Sequence, residues 1–179
     1  MRILHRFPLA KTEKAYLAGG CFWGLEFTFQ KIKGVISTDV GYGNCDRNDP
    51  TYKNVCTGET GAAEVVEVEF DPSCVHYEEL LDIFFENHDP TTLNQQGLDR
   101  GTQYRSGVFT ISDHQKILAE KAILKHQNHW ENPIVTEVVS FENFFKAEEY
   151  HQDYFRLNSN VPYCQAVIQP KLKKLFDSD

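Results

Sequence analysis

The period of the apolar residues changes at Gly19-Gly20, and this change limits how the first part of the chain can fold. Before the glycines, residues 14–18 form a short apolar-leaning run typical of a strand. After them, apolar residues recur at helical spacing, and Gly34 is suited to end the helix. The residues on this helical face are Phe22, Leu25, Phe29 and Ile32. We therefore expect a strand followed by a helix, with Cys21 at the start of the helix.

The same pattern analysis predicts that strands and helices alternate along the rest of the chain. Predicted strands cover residues 35–40, 63–70, 107–111 and 134–139, and predicted helices cover about 77–84, 113–129 and 147–157. Gly41-Tyr42-Gly43 would close the second strand, and residues 44–62 and 88–105 form two predicted loops. The predicted fold class is α+β, a two-layer sandwich with a ferredoxin-like β-α-β-β-α-β core, extra helices and long loops.

Length and charge exclude several classes of protein. The chain has 179 residues, 41% of them hydrophobic, which suits a single domain over 1–179. Its net charge of −8 argues against a nucleic-acid partner, because binding to a phosphate backbone depends on clustered positive charge. The one basic cluster, Lys171, Lys173 and Lys174, is interpreted as a solvated helix end.

No segment has 18 consecutive apolar residues, and residues 1–10 lack the apolar run of a signal peptide. We therefore expect no membrane span and a cytoplasmic location.

The five cysteines do not form a recognisable framework. They lie at positions 21, 45, 56, 74 and 164, and no two are close enough for a CxxC pair. An odd number at wide spacing is untypical of a secreted disulfide scaffold, and the spacing also argues against a zinc site. We therefore predict no metal. Most of the thiols are interpreted as inert, which leaves the question of which are reactive.

Cys21 is the strongest candidate for a reactive thiol. Unpaired backbone N–H groups and the positive end of the helix dipole favour a thiolate at a helix start. The local physics therefore predicts a pKa below the usual value of about 8.5. Gly19 and Gly20 leave the sulfur uncrowded, and Phe22 and Trp23 flank it.

A series of motifs resembles the A-class peptide methionine sulfoxide reductases. The first is Gly20-Cys21-Phe22-Trp23-Gly24. Others follow in the family's order over residues 15–164: Pro50-Thr51-Tyr52 with Val55-Cys56, TGAAEVV at 60–66, HDPTT at 88–92, Asp99 with GTQYRS at 101–106, and AEEYHQ at 147–152. The resemblance implies reduction of the S epimer of methionine sulfoxide, free or in proteins, with no prosthetic cofactor and an external thiol reductant, thioredoxin being usual.

The resemblance also implies roles for particular residues. Cys21 would attack the sulfoxide sulfur and become a sulfenic acid, and Glu64 would be the acid that protonates the departing oxygen. Strand alternation supports Glu64 independently, because it shares the apolar face of residues 63–70 with Val66 and Val68 and should have a raised pKa.

Five further residues are expected to bind the substrate. Tyr52 and Tyr104 resemble the family's two phenols that hydrogen-bond the sulfoxide oxygen, and both lie in the predicted loops. Phe22 and Trp23 would enclose the S-methyl group, because aromatic rings suit an apolar, polarisable group. Asp99 resembles the acidic residue at the rim, although a turn role is nearly as well supported.

The C-terminal tail departs from the glycine-rich tail of many relatives. Residues 158–179 contain Cys164, the only thiol of the tail and the candidate that would resolve the sulfenic acid as a disulfide. The polar residues before Cys164 predict a mobile segment outside helix or sheet, although the apolar and lysine-rich sequence after it could dock. Cys45, in the 44–62 loop, is the alternative candidate for the resolving thiol.

Two other functions remain open from the residues alone. Cys21 could be the nucleophile of a cysteine hydrolase or acyl transferase with His88 or His151 as base. The aromatic residues Trp23, Tyr52 and Tyr104 could instead form the cage of a non-catalytic binding module.

Overall fold

The computed structural model describes residues 11–177. Residues 1–10, on which the signal-peptide interpretation depends, lie outside the described part. The strands are β1 Glu13–Gly19, β2 Val35–Gly43, β3 Ala63–Phe70, β4 Gln95–Gln96, β5 Asp99–Arg100, β6 Ser106–Thr110, β7 Glu137–Ser140 and β8 Phe144–Lys146. The helices are α1 Phe22–Gln30, α2 Tyr52–Val55, α3 Tyr77–Asn87, α4 Asp113–Gln127, α5 Tyr154–Leu157 and α6 Gln169–Phe176. Thr102–Tyr104 and Glu149–His151 are 3₁₀ turns, and Cys164–Ile168 is a π-helical turn.

Six strands form one sheet in the order β7-β6-β1-β3-β2-β8. All neighbours pair antiparallel except β6 and β7, which are parallel. Helices α1, α3 and α4 bury apolar side chains against one face of the sheet, and the segment around Phe141 and Phe144 packs on the other face. The mixed α/β architecture expected from the alternating pattern is thus confirmed. Within residues 11–177, no helix is long and apolar enough to cross a membrane.

The second strand is longer than expected, because it continues through Gly41-Tyr42-Gly43 to its end. The two glycines do not break the strand; Gly41 allows β8 to approach closely, and Gly43 leaves room for Val65 on β3. A Cβ atom at Gly41 would lie 2.5 Å from the Phe144 ring. The interpretation of these glycines as a strand terminator was therefore wrong.

The helix expected over 147–157 is replaced by a 3₁₀ turn and the short helix α5. The helix is interrupted at Gln152, whose backbone is extended with ψ 135°. The side-chain amide of Gln152 bonds the backbone N–H and C=O of Val40 on β2 in this conformation. Asp153 then adopts a left-handed conformation with φ +54°, and its N–H donates to Glu26 Oε2 at 3.0 Å. Contacts with residues distant in sequence therefore determine the conformation of this segment, and the helical spacing of its apolar residues could not indicate those contacts. The expected long loops also carry local structure: α2 in 44–62, and β4, β5 and a 3₁₀ turn in 88–105.

Gly20 determines the backbone geometry of the connection between β1 and α1. Its φ is +86°, a region that L side chains rarely adopt, and an added Cβ would lie 2.5 Å from Gln96 Cγ. The Gln96 side chain is held by hydrogen bonds to the backbone of Asp89 and cannot move freely.

We expect Gly20→Ala to lower the free energy of unfolding by about 2 kcal/mol or more, because backbone strain and a clash act together. Gly97→Ala is a matched control, since Gly97 has φ +59° but nothing within 4 Å of an added Cβ. This control should cost about 1 kcal/mol. Denaturant unfolding of both variants measures the two free energies of unfolding. Equal decreases in Gly20→Ala and Gly97→Ala would show that the clash with Gln96 does not destabilise the fold.

Candidate functional site

Seven of the predicted site residues line a single cavity of about 410 Å³. The start of α1 contributes Cys21, Phe22 and Trp23, and strand β3 contributes Glu64. The remaining predicted residues are Tyr52 on α2, Asp99 on β5 and Tyr104 at the end of a 3₁₀ turn. Tyr154, Val161, Pro162 and Tyr163 complete the wall. The cavity thus collects predicted residues that are up to 83 positions apart, between Cys21 and Tyr104, from elements on one side of the fold.

Cys21 occupies the N-cap of α1 and is partly buried. Burial is the largest influence on its thiol and raises the pKa well above its usual value, and the charge of Glu64 raises it further. The Trp23 backbone N–H and the Tyr163 hydroxyl oppose this rise by hydrogen bonding. The expectation that the helix start would lower the pKa of the thiol was wrong, because desolvation outweighs the contribution of the helix N–H groups. At neutral pH the thiol therefore holds its proton.

Glu64 lies on the buried face of β3, with 2% of its surface exposed. Its Oε2 accepts a hydrogen bond from the Phe22 N–H at 3.1 Å, which fixes the carboxyl group beside the start of α1. Burial raises the pKa of this carboxyl to about 8 despite that bond. The expected rise in pKa is confirmed. At pH 7 the carboxyl therefore holds its acidic proton, so Glu64 can donate it to an oxygen in the cavity.

Aromatic rings form an apolar wall next to the thiol. The Phe22 ring is buried against Tyr42 and His151. The Trp23 ring stacks on Tyr154 with centroids 3.7 Å apart, and its Nε1–H donates to His151 Nδ1 at 3.0 Å. The indole is therefore fixed in orientation while part of it faces the cavity.

Two phenols face the cavity near the carboxyl group. Burial raises the pKa of Tyr52 and of Tyr104 above the usual value for a phenol, so both remain hydrogen-bond donors at neutral pH. Glu148 supports Tyr52, because its Oε1 accepts the Tyr52 N–H at 2.8 Å while its Oε2 accepts the Tyr42 hydroxyl at 2.7 Å. Glu148 does not line the cavity; it anchors the start of α2.

Tyr163 is a site residue that the sequence reasoning missed. Its hydroxyl donates to Asp99 Oδ2 at 2.5 Å. When Cys21 ionises, the same proton can instead be donated to the thiolate, which lowers the pKa of the thiol. It connects the tail to the nucleophile and to the rim carboxylate. Its position directly before Cys164 was the signal available, but a tail expected to be mobile gave no reason to place it in the cavity.

Cys164 does not line the cavity. It is fully buried with Phe155, Ile168 and Leu172, in a π-helical turn that continues into α6. The expectation that this segment lies outside helix and sheet was wrong. Apolar residues at helical spacing dock it, and Ile168 packs so closely on α1 that a Cβ at Gly24 would lie 3.1 Å from it.

The other thiols occupy different environments. Cys45 is also buried, and its thiol donates to the Thr60 carbonyl at 3.4 Å. Cys56 is exposed and hydrogen-bonds Tyr52, and Cys74 is exposed beside Asp71.

Neither candidate histidine is placed as a base for Cys21. The His88 ring bonds the Phe84 carbonyl and the Ser106 hydroxyl, both at 2.7 Å. His151 accepts from Trp23 through Nδ1, while its Nε2 is buried and has no hydrogen-bond partner within residues 11–177. The geometry therefore does not support the alternative function of a cysteine hydrolase or acyl transferase.

Comparisons with known proteins find similar chains in one family. The family model described as peptide methionine sulfoxide reductase matches residues 13–179. The chain is similar to the peptide methionine sulfoxide reductase MsrA of a Nitratiruptor species, with 51% identity over 166 residues, covering 93% of this chain and 95% of that protein. The fold is similar to the crystal structure of Mxr1 from Saccharomyces cerevisiae in reduced form, with a TM-score of 0.82, 41% identity and coverage of 89% and 92%. Mxr1 in complex with Trx2 matches with a TM-score of 0.60, 31% identity and coverage of 85% and 91%.

Proposed function

The chain belongs to the peptide methionine sulfoxide reductase family, and from that premise we propose how its own residues carry out the reaction. It is an oxidoreductase that reduces methionine sulfoxide in a thiol-dependent reaction. One observation carries the assignment of residues: the Cys21 thiol and a Glu64 carboxyl that holds its proton at pH 7 share one cavity with an aromatic wall. The acyl-transfer and binding-module alternatives lack such support.

In the proposed reaction, the S-methyl group lies against Phe22 and Trp23, and the sulfoxide oxygen accepts hydrogen bonds from Tyr52 and Tyr104. The Cys21 sulfur attacks the sulfoxide sulfur while Glu64 protonates the oxygen, since an unprotonated oxide is a poor leaving group. The sum is one thiol and one sulfoxide converted to one sulfenic acid and one methionine. The sulfoxide sulfur gains two electrons and the Cys21 sulfur loses two.

We propose that Asp99 acts at the rim through Tyr163, to which it is hydrogen-bonded. The carboxylate and the phenol would hold the substrate or an ordered water near the thiol. Only one epimer is expected to react, because one placement of methyl and oxygen fits an apolar wall on one side and the donors Glu64, Tyr52 and Tyr104 on the other. The family resemblance implies that this is the S epimer.

Consumption of the separated S and R sulfoxides, with dithiothreitol as reductant, tests this assignment. The S epimer should be consumed and the R epimer should remain at background. Equal rates for the two epimers would reject the proposed arrangement of methyl and oxygen.

Regeneration is proposed to use Cys164 and thioredoxin. A sulfenic acid condenses with a thiol to a disulfide and water, and a thioredoxin then reduces the disulfide. The yeast relative crystallised in complex with Trx2 supports thioredoxin as the partner. Because Cys164 is buried, the tail must leave its position before the two sulfurs can meet. Cys45 is the second candidate, and no metal or prosthetic group takes part in this scheme.

Cys164→Ser should release one methionine per chain and then stall with thioredoxin, while it continues to turn over with dithiothreitol. Cys74→Ser is the matched control, since this exposed thiol does not line the cavity. Peptide mapping of the wild type after one turnover should show a Cys21–Cys164 disulfide. A Cys21–Cys45 disulfide would instead assign Cys45 as the thiol that resolves the sulfenic acid. Undiminished thioredoxin-dependent turnover of Cys164→Ser would exclude Cys164 from this role.

Three broader assignments remain proposals. Residues 1–179 form a single catalytic domain in which 158–179 is a C-terminal tail. The strand order β6-β1-β3-β2, with α1 and α3 as crossovers, supports a ferredoxin-like core. The five free thiols support a reducing compartment, and we propose the cytoplasm.

A further inference from the structure

A narrow cavity of about 20 Å³ lies behind Cys21, between the start of α1 and the tail. The tail contributes Tyr163, Val167, Ile168, Lys171 and Leu172 to its lining, and α3 contributes Asn87. Lys171 belongs to the basic cluster interpreted above as a solvated helix end. For this residue that interpretation was wrong, because Lys171 is partly buried and faces the cavity that contains Cys21.

The Lys171 ammonium has no direct partner: within residues 11–177, no hydrogen bond or ion pair engages it. An ammonium without a hydrogen-bonded partner that lines the same narrow cavity as a thiol is placed to act on that thiol through its charge. Burial lowers the pKa of Lys171, while the negative charges of Cys21 and Asp99 raise it.

We propose that Lys171 is a positioning residue whose ammonium provides the counter-charge for the Cys21 thiolate from behind the sulfur. The inference rests on the proposed role of Cys21 as nucleophile. It adds a cation from the C-terminal helix to a site in which the sequence motifs supply only acids, phenols and apolar rings.

Reciprocity of electrostatic coupling supports this role. If the negative charge of the Cys21 thiolate favours the charged form of Lys171, the positive charge of Lys171 must favour the thiolate of Cys21 by the same free energy. Without such a cation, Cys21 would be subject to burial and to the charges of Glu64 and Asp99, which all raise the pKa of its thiol. In the proposed arrangement the charge of Lys171 opposes part of this rise, while the pKa of the thiol stays well above its usual value.

Other charged groups near these two side chains must be considered in any titration. The groups that face Cys21 are Glu64, Asp99, Tyr52 and Tyr163. Those that face Lys171 or line the adjoining groove are His88, Glu86, Asp89, Asp99, His126, His129 and Lys174. Burial lowers the pKa of His88 to about 4, so His88 stays neutral across pH 6–10. Glu64 titrates near pH 8, within the range of the experiment, and needs its own control.

The test is the pH dependence of Cys21 alkylation by iodoacetamide in the full chain, read by mass spectrometry on the tryptic peptide 15–31, which contains no other cysteine. The variants are Lys171→Met, Lys171→Arg and Lys173→Met, the last being an exposed lysine on the same helix. Each is measured in wild type and in a Glu64→Gln background, which removes the titration of Glu64. Thermal unfolding is recorded for every variant.

We expect Lys171→Met to slow alkylation at pH 8 by about 3–10-fold and to shift the profile to higher pH, since one pKa unit changes the thiolate fraction up to tenfold. Lys171→Arg should restore the profile, and Lys173→Met should match the wild type. The midpoint of thermal unfolding in Lys171→Met should stay close to that of the wild type, because no hydrogen bond or ion pair is lost.

Superimposable alkylation profiles for Lys171→Met and wild type would overturn the proposal, as would a lowered midpoint of unfolding with no change in the profile. The experiment contains no sulfoxide, so a failure of the proposed reductase chemistry would be seen separately in the epimer assay.

Discussion

Cys21→Ser is expected to lose all reduction of methionine sulfoxide, even with excess dithiothreitol. The hydroxyl group is a much weaker nucleophile than the thiol, and it cannot form the sulfenic acid from which an external thiol regenerates the enzyme. The substitution is nearly isosteric at the N-cap of α1, where serine is a favoured residue, so the fold should be retained. The measurement is methionine released over time, with the midpoint of thermal unfolding as the check on folding.

Two variants serve as controls for Cys21→Ser. Cys74→Ser removes an exposed thiol outside the cavity and should keep full activity. Cys56→Ser removes the exposed thiol that hydrogen-bonds Tyr52 and should keep the chemical step within about a factor of a few. Turnover above background in Cys21→Ser would exclude Cys21 as the sole nucleophile.

Glu64→Gln is expected to slow the chemical step by about 10²–10⁴-fold, the usual range for the loss of a general acid. Glutamine keeps the size of the side chain and an oxygen that can accept the Phe22 N–H, but it has no acidic proton. The rate should be measured in single turnovers, because regeneration can mask the chemical step. An unchanged single-turnover rate would move the acid role elsewhere.

The pH dependence separates this role from a structural one. Below pH 8 the Glu64 carboxyl holds its proton, and above pH 8 it loses it. The ionisation of Cys21 acts on the rates of both the wild type and Glu64→Gln, so the ratio of the wild-type rate to the Glu64→Gln rate isolates the acid. This ratio should be level below pH 8 and should fall as pH rises through about 8. A ratio that does not change with pH would show that Glu64 does not act through its proton.

The cavity residues were predicted through the series of motifs that resembles the reductase family, and local spacing independently supports Cys21 and Glu64. Cys21, Phe22 and Trp23 are adjacent at a helix start, and strand alternation alone places Glu64 on the apolar face. The alternation of strands and helices likewise predicted the mixed architecture. These features depend on local spacing, which a single sequence displays.

Features that depend on distant contacts could not be predicted. Burial raises the pKa of Cys21, and Tyr163, 142 positions away, lines the cavity beside it, whereas the helix-start argument considered only its neighbours in sequence. Tyr163 and Lys171 face the nucleophile only because Ile168 and Leu172 dock the tail on α1. The end of the expected 147–157 helix depends on Gln152 bonding to β2.

One measurement tests most directly whether this cavity reduces the sulfoxide through Cys21. Fully reduced enzyme is mixed with one equivalent of the S sulfoxide without any reductant, methionine is quantified, and the oxidised cysteine is located by trapping and peptide mapping. We expect one methionine per chain, with the oxidation on Cys21 as a sulfenic acid or as a disulfide that contains Cys21. Formation of methionine while Cys21 remains a free thiol would contradict the assignment of the site.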